Sequence, residues 1–196
     1  VAMKIVYKFR KNISEKIALV TAKIISTKIL GMGDRVCVDT CTNMKLGEGM
    51  LIGNSSGAMF LVHSETIKNP YVETRPFRVN AGGLHAYTFL PEGKTKYLSE
   101  IKSGDEVLVI NSKGDTQVAI VGRVKIERRP MMLVEAEAGK GKVSLILQNA
   151  ETVHLTQPDG SPISVVSIKK GSAVLAYVEE AGRHFGMKIE ETIEEK

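Results

Sequence analysis

Short apolar stretches with a period of two recur along most of this chain, and they constrain the fold more than any other feature. They are rich in Val, Ile and Leu, as in EVLVI, VAIVGRV and KVSLIL, and the period is typical of strands. Turn-forming residues separate them at 54–57, 91–93, 111–115, 138–142 and 157–162. Helical periodicity is weak, with its best candidate within residues 1–17 and a short turn near Leu98–Ser99. The order predicts a mainly β fold built of small antiparallel β-barrel or sandwich units, with few short helices.

One local pattern, apolar-Lys-x-Gly-x-x-apolar-Leu-x, occurs three times. Its copies are Met44–Ile52, Ile101–Val109 and Ile168–Ala176, and Gly33–Val38 is a weaker fourth copy. Glycine at a fixed place before a strand is typical of a turn whose Gly adopts a positive φ. We therefore expect each copy to be a turn followed at once by a strand that enters the core.

The segment GMGDRVCVDTC, residues 31–41, resembles a phosphate-binding loop only superficially. A dinucleotide fingerprint needs a third glycine and a following helix, whereas RVCV here has the pattern of a strand. We expect a turn leading into a strand, with Val36 and Val38 inward and Cys37 and Asp39 on the other face. The charged side chains that remain able to face a site are those of Asp34, Arg35 and Asp39.

The two cysteines do not support a disulfide framework or a metal site. Cys37 and Cys41 are the only cysteines of the 196 residues, so a reducing, cytoplasmic location is expected. Their spacing is not that of a zinc knuckle, and His63 and His85 each lie alone in strand-like sequence. Buried cysteines and packed histidines are the favoured interpretation, and no metal is predicted.

The net charge is explained by a small anionic ligand as well as by nucleic acid, and the composition argues against nucleic acid. The formal net charge is +5, but only 5% of residues are aromatic and there is no Trp. Stacking on nucleic-acid bases therefore has little to use, and no nucleic-acid partner is expected. No apolar run approaches the ~18 residues that span a membrane, so no membrane partner is expected either.

The segment RPFRVNAGGLHAY, residues 75–87, is the clearest candidate for a binding site. Arg75 and Arg78 suit bidentate binding of a carboxylate or phosphate. Asn80 and His85 are placed to orient a carbonyl or hydroxyl, and the Gly-Gly pair permits a ligand to approach the backbone. Solvated arginines and a glycine bulge remain the alternative.

Two further clusters carry polar side chains of interest. His63 and Glu65 fall on one strand face, either as a proton-transfer pair or as an ordinary cross-strand hydrogen bond. Gln148, Asn149 and Glu151 form either a loop cap or the wall of a site. Near the end of the chain, Arg183, His184 and Lys188 are expected to be solvated.

These stretches together resemble archaeal-type 3-dehydroquinate synthase, also called dehydroquinate synthase II. The resemblance runs from about Ile17 to Lys196 and rests on long blocks matching in order. They are GMGDRVCVDTC, GEGMLIGNSSGAMFLVHSE, NPYVETRPFRVNAGGLHAY, KTKYLSEIKSGDEVLVI, AIVGRVKIERRP, ILQNAETVHL and RHFGMKIEETIEEK.

The resemblance implies an enzyme of aromatic amino-acid biosynthesis. Family members oxidatively deaminate 2-amino-3,7-dideoxy-D-threo-hept-6-ulosonate with NAD+ and cyclise the product to 3-dehydroquinate. Family chains have a substantial region before the GMGDRVCVD block, and this chain begins with Val, so a truncated chain is expected. The domain expectation is residues 1–16 as an extension or remnant, with β units at 17–97 and 98–196.

A site for that reaction needs four kinds of group. Arg75 and Arg78, with Asn80, are candidates to hold the substrate carboxylate. His63 with Glu65, and His85, are candidates for proton transfer. Arg128, Arg129 or Lys125 are candidates to polarise the enolate oxygen, and Asp34 or Asp39 to hold the NAD ribose. The alternative left open is a non-catalytic β scaffold or homo-oligomerisation module of such an enzyme.

Overall fold

The computed structural model describes residues 16–179 and 195–196, and within them nearly all regular structure is β-strand. The mainly β prediction is confirmed, as is the short turn at Leu98–Glu100, a 3-10 turn like Pro91–Gly93. The helix predicted within residues 1–17 and the solvated side chains at 183, 184 and 188 lie almost wholly outside the described residues. The strands are β1 Val20–Thr40, β2 Glu48–Ser55, β3 Ala58–His63, β4 Arg78–Gly83, β5 Tyr87–Phe89, β6 Thr95–Tyr97, β7 Glu106–Asn111, β8 Thr116–Ala138, β9 Gly141–Gln148, β10 His154–Thr156, β11 Pro162–Ser164 and β12 Ala173–Val178.

The strand pairings close into a ring. In order, β3, β12, β1, β8, β7 and β2 are each paired antiparallel with the next, and β2 pairs back onto β3. β10 and β11 extend the sheet beyond β3, and β5 and β6 extend it beyond β2. Strands from residues 17–97 and 98–196 pair directly, β1 with β8 and β2 with β7. The division into two units at residue 97 stays a prediction.

Two long strands, β1 and β8, connect the parts of this sheet. They pair with each other from Lys23 to Thr40 of β1, with register shifts at three places. The first part of β1 pairs with β12 and its last part with β4, whereas β8 pairs first with β7 and then with β9. The four-stranded surface β4–β1–β8–β9 that results carries the polar cleft described below.

The predicted turns are confirmed where the Lys-x-Gly pattern is complete. Gly47, Gly104 and Gly171 have φ values of 85°, 92° and 91°, and each precedes a strand by one or two residues. The prediction for the weaker copy at Gly33 was wrong, because residues 31–33 lie inside β1 and Gly33 has no positive φ. The residues before and after Gly31–Gly33 are paired with β8, and this pairing keeps β1 extended through the segment.

The main apolar core is formed by buried side chains from most of the strands. Val36 and Val38 are fully buried in the main apolar cluster, as predicted for the inward face of β1. A second, smaller cluster covers the opposite face of the central strands β2 and β3; it contains Leu51, Met59 and Leu61. Since both faces of β2 and β3 are covered, their buried stretches Met50–Ile52 and Ala58–Val62 are continuously apolar rather than alternating. No helix within the described residues is long and apolar enough to cross a membrane.

Candidate functional site

A polar floor forms where β4, β1 and β8 present the same face. The register places Asp39 of β1 between Arg78 of β4 and Arg123 of β8. Two residues earlier, Cys37 lies between Asn80 and Lys125. Side chains two residues apart on a strand share a face, so these rows form one continuous surface opposite the apolar core.

Asp39 joins the three strands through its carboxylate. It accepts hydrogen bonds from Arg78 Nε at 2.7 Å and Nη2 at 3.0 Å, and from Arg123 Nε at 2.8 Å. Burial raises the pKa of Asp39, but the hydrogen bonds and charges of the two arginines outweigh it, so that the net pKa lies below the ordinary value. Because Asp39 is 3% exposed and both oxygens are used, it does not reach the cleft above.

A second buried polar group lies further along the floor. Gln148 Oε1 of β9 accepts hydrogen bonds from Arg35 Nη1 at 2.6 Å and from Asn80 Nδ2 at 2.8 Å. Arg35 is 7% exposed, and its Nη2 lies 3.5 Å from the Glu127 carboxylate. Arg35 Nε and Asn80 Oδ1 are buried without a hydrogen-bond partner among the described residues. Buried unsatisfied groups are costly, so they point to a site that a ligand or water completes.

Above this floor lies an open cleft of about 740 Å³. One wall is the loop after β3, held by a bridge between Glu65 and Arg75, and the other is β10 and β11 with the loop after them. The cationic side chains that line it are those of Arg35, Lys68, Arg75, Arg78, Lys125 and Arg129. The carboxylates that line it are those of Glu65, Glu73, Glu127 and Glu151. With six cations against four carboxylates, the cleft favours an anion.

Two titratable side chains in the cleft have environments that favour their neutral forms. Burial raises the pKa of Glu65, although the charges of Arg78 and Arg75 partly oppose this. Burial also lowers the pKa of His154, against the effect of a hydrogen bond from its ring to the Thr152 carbonyl. Glu65 was a candidate from the sequence, whereas His154 was not singled out there.

The predicted site residues other than Asp39 and His63 fall into three places. Glu65, Arg75, Arg78, Asn80 and Arg129 are brought together in the cleft, with Lys125. His85 and Asp34 lie together on a separate pocket of about 320 Å³, lined otherwise mainly by Leu30, Met32, Leu84 and Met131. Arg128 lies on neither pocket; it is largely exposed and 3.9 Å from Asp34.

His63 does not form the expected pair with Glu65. Its Nε2 accepts a hydrogen bond from the Gly47 amide at 2.8 Å, and its Nδ1 lies 2.8 Å from the Ser64 carbonyl. Both nitrogens are thus bound to the backbone, in an imidazole that is 2% exposed and whose pKa burial lowers. His63 therefore anchors the first Lys-x-Gly turn and does not line the cleft.

The Gly-Gly pair serves packing within the sheet. The pairing of β1 with β4 shifts register opposite Gly82 and Asn80, which is a bulge, the alternative left open from the sequence. Gly82 has φ 126°, and a Cβ there would lie 2.7 Å from the Ile146 carbonyl oxygen of β9. The close approach that the glycine permits is thus to a neighbouring strand.

The fold and the cleft define a mainly β domain with a polar, anion-favouring site on one face of its sheet. A family described as the 3-dehydroquinate synthase II C-terminal domain matches residues 21–196, and the chain belongs to that family. The resemblance seen in the sequence is thereby confirmed.

Curated relatives agree with this assignment. The chain is 62% identical over 182 residues to a "3-dehydroquinate synthase homolog" of Aquifex aeolicus, covering 93% of this chain and 55% of the relative. It is 58% identical to a "3-dehydroquinate synthase" of Methanopyrus kandleri, over 93% of this chain and 46% of that relative. It is 60% identical to a "3-dehydroquinate synthase" of Methanocaldococcus jannaschii, over 93% of this chain and 50% of that relative. The chain thus spans about half the length of these relatives. No solved structure matches it.

Proposed function

We propose that this chain forms the substrate-binding part of an enzyme that makes 3-dehydroquinate. The substrate would be 2-amino-3,7-dideoxy-D-threo-hept-6-ulosonate, oxidatively deaminated with NAD+ and then cyclised. The proposal is supported by the family and by the names of the relatives, and it assigns a small anionic molecule, rather than a nucleic acid or a membrane, as the partner. The single observation that carries it is the cationic cleft over a buried, incompletely satisfied Arg35–Gln148–Asn80 group.

The substrate carboxylate would bind to a cationic side chain of the cleft that does not already form a close ion pair within the protein. Arg78 is bound to Asp39 at 2.7 Å, so most of its charge is neutralised. Arg75 makes only a loose ion pair, 3.9 Å from Glu65, and its side chain is 38% exposed. Arg75 is therefore the proposed direct carboxylate ligand, with Arg78 behind it and Lys125 or Arg129 near the developing enolate oxygen.

The described residues do not fit a complete dinucleotide. Asp39 is buried and bound to two arginines, so it is not available to ribose hydroxyls. Asp34 is accessible but adjoins only the smaller pocket with His85. No glycine-rich turn before a helix, the common pyrophosphate site, occurs in residues 16–179. We therefore propose that NAD+ binds mainly to the part of the enzyme that corresponds to the other half of the relatives.

The test is a pair of arginine substitutions in the full-length enzyme that contains this chain. Formation of NADH and of 3-dehydroquinate from the amino-heptulosonate is measured. Arg75→Gln removes a charged hydrogen bond, of order 1.5–3 kcal/mol, and is expected to raise KM by roughly ten- to hundredfold. Arg128→Gln, an equally conservative change outside the cleft, is expected to alter KM less than about twofold.

Two results would overturn the proposal. A wild-type enzyme that forms neither product from this substrate is not the proposed enzyme. An active enzyme whose Arg75 and Arg128 variants behave alike would show that the cleft is not the substrate site, which would favour the scaffold interpretation of this domain.

A further inference from the structure

We propose that the cleft of this chain carries the ring-closing step, with His154 as the general base and Glu65 as the general acid. The inference rests on the proposed function and goes beyond it by dividing the reaction. Ring closure is assigned to this domain, and hydride transfer to another place in the enzyme. Neither the division nor His154 follows from the family description.

His154 is positioned as a base by the strand that bears it. It lies at the start of β10, and the register of Leu155 with Val62 places it across from His63 of β3. Its Nδ1 lies 3.0 Å from the Thr152 carbonyl, which accepts a hydrogen bond from Nδ1–H, so that Nε2 is the unprotonated nitrogen of the neutral ring. Within the described part of the chain Nε2 has no hydrogen-bond partner and is not enclosed, and the residue lines the cleft.

Few charges near His154 oppose this role. Facing it from β3 is His63, which is neutral because both its nitrogens bind the backbone. Glu65, which follows β3, and Glu151, which precedes β10, line the same cleft, and Ser164 pairs with His154 from β11. Burial lowers the pKa of His154, so the ring is neutral and able to accept a proton near pH 7.

Glu65 is positioned as the acid on the opposite wall. Its backbone carbonyl accepts a hydrogen bond from the Arg75 amide at 2.9 Å, and this bridge fixes the start of the loop after β3. Its side chain is only 16% exposed, and burial raises the pKa of the carboxyl. The charges that act on it are those of Arg78, Arg75, Arg35 and Asp39. The loose contact with Arg75 leaves a carboxyl oxygen available to the cleft.

The step is balanced without an oxidant. Deamination would leave an open-chain acid with ketones at C2 and C6, and the C6 ketone acidifies the C7 methyl group. His154 Nε2 takes a C7 proton, and the resulting enolate carbon attacks C2 to form the ring bond. The C2 oxygen, now an alkoxide, takes the proton from Glu65. Proton return from His154 to Glu65 restores both groups, so the overall change is an isomerisation.

This balance provides the experiment. The dioxo acid is prepared separately and given to the full-length enzyme without NAD+, and 3-dehydroquinate is followed against spontaneous closure in buffer. The wild type is expected to accelerate closure with a bell-shaped dependence on pH. His154→Gln and Glu65→Gln are each expected to slow it by about 10²–10⁴-fold and to remove one limb of the bell. Glu106→Gln, which changes an exposed carboxylate at the start of β7 outside the cleft, is the control and should keep the wild-type profile.

The outcomes separate the two proposals. Wild-type enzyme that forms NADH from the amino compound but does not accelerate closure of the dioxo acid overturns the inference and leaves the proposed function standing. Closure at wild-type rates in both variants overturns the assignment of His154 and Glu65. Thermal stabilisation by added 3-dehydroquinate, measured for each variant, shows that a slow variant is folded and retains its site.

Discussion

Substituting Asp39 by Asn tests whether the floor of the cleft is held by charge. The Asp39 side chain is 5% exposed and Arg78 11%, whereas Arg123 is 61% exposed. Removing one partner of a buried ion pair costs about 3–5 kcal/mol, because the other charge remains buried. Asn retains one oxygen acceptor for Arg78, which places the expected loss near the lower end, about 3 kcal/mol. For a domain of this size that corresponds to a fall in Tm of roughly 6–12 °C.

The assay is urea and thermal unfolding followed by circular dichroism, with Asp34→Asn as the matched control. Asp34 lies on the same strand, but its side chain is 47% exposed and its ion pair with Arg128 is 3.9 Å long, so its loss should cost less than about 1 kcal/mol. Since the pKa of Asp39 is lowered on folding, its contribution is complete above the unfolded pKa of about 3.9 and lost as pH falls through the folded pKa. The stabilities of the Asn variant and the wild type should therefore begin to approach each other below about pH 4, and become equal only below the folded pKa. Equal stability of the two variants at pH 7 would refute the reasoning.

Two smaller effects test the turns and the thiols. Gly104→Ala forces a side chain into a backbone with φ 92°, with no atom within 4 Å of the new Cβ, so it should lower the free energy of unfolding by about 1–2 kcal/mol. Gly31→Ala is the control: its site is equally open but its φ is not positive, so the free energy of unfolding should not fall. Similar unfolding midpoints for the two variants would contradict this reasoning. Burial raises the pKa of Cys37 to about 11, whereas Cys41 is exposed. Iodoacetamide at pH 8 should therefore label only Cys41 in the folded protein, which peptide mass spectrometry would show. Rapid labelling of Cys37 would contradict its burial.

The strands and turns could be predicted because their signals are local. A Lys-x-Gly turn fixes itself: the carbonyls of Lys45, Lys102 and Lys169 each accept the amide three residues later. The match at Gly33 lacks that lysine, and a long-range partner, β8, keeps the chain extended there instead. The ring of pairings joins residues far apart in the chain, and no local pattern encodes which strands meet.

The site was predictable only in part for the same reason. Arg75, Arg78 and Asn80 were found because they crowd one short segment. Gln148 and Glu151, named from the sequence as a loop cap or the wall of a site, both line the cleft. His154 was not singled out, because it reaches the cleft from a strand that lies next to β3 only after folding. Histidine is a suitable residue for proton transfer, but Nε2 of His63 already accepts a hydrogen bond from the Gly47 amide of the preceding turn. The spacing of residues in the sequence does not predict that hydrogen bond.

The continuity of β1 and β8 has a consequence for the ligand binding proposed above. One pair of strands, 21 and 23 residues long and shifted in register at three places, supports both the bottom of the cleft and the rest of the sheet. The bottom thus cannot tilt or open without breaking cross-strand bonds along its whole length. Adaptation to an incoming molecule falls to the segments above it, the stretch from Glu65 to Arg75 and the turn at Val166 and Ser167. Differences in preference among related enzymes should accordingly accumulate in those two short segments, over an unchanging base.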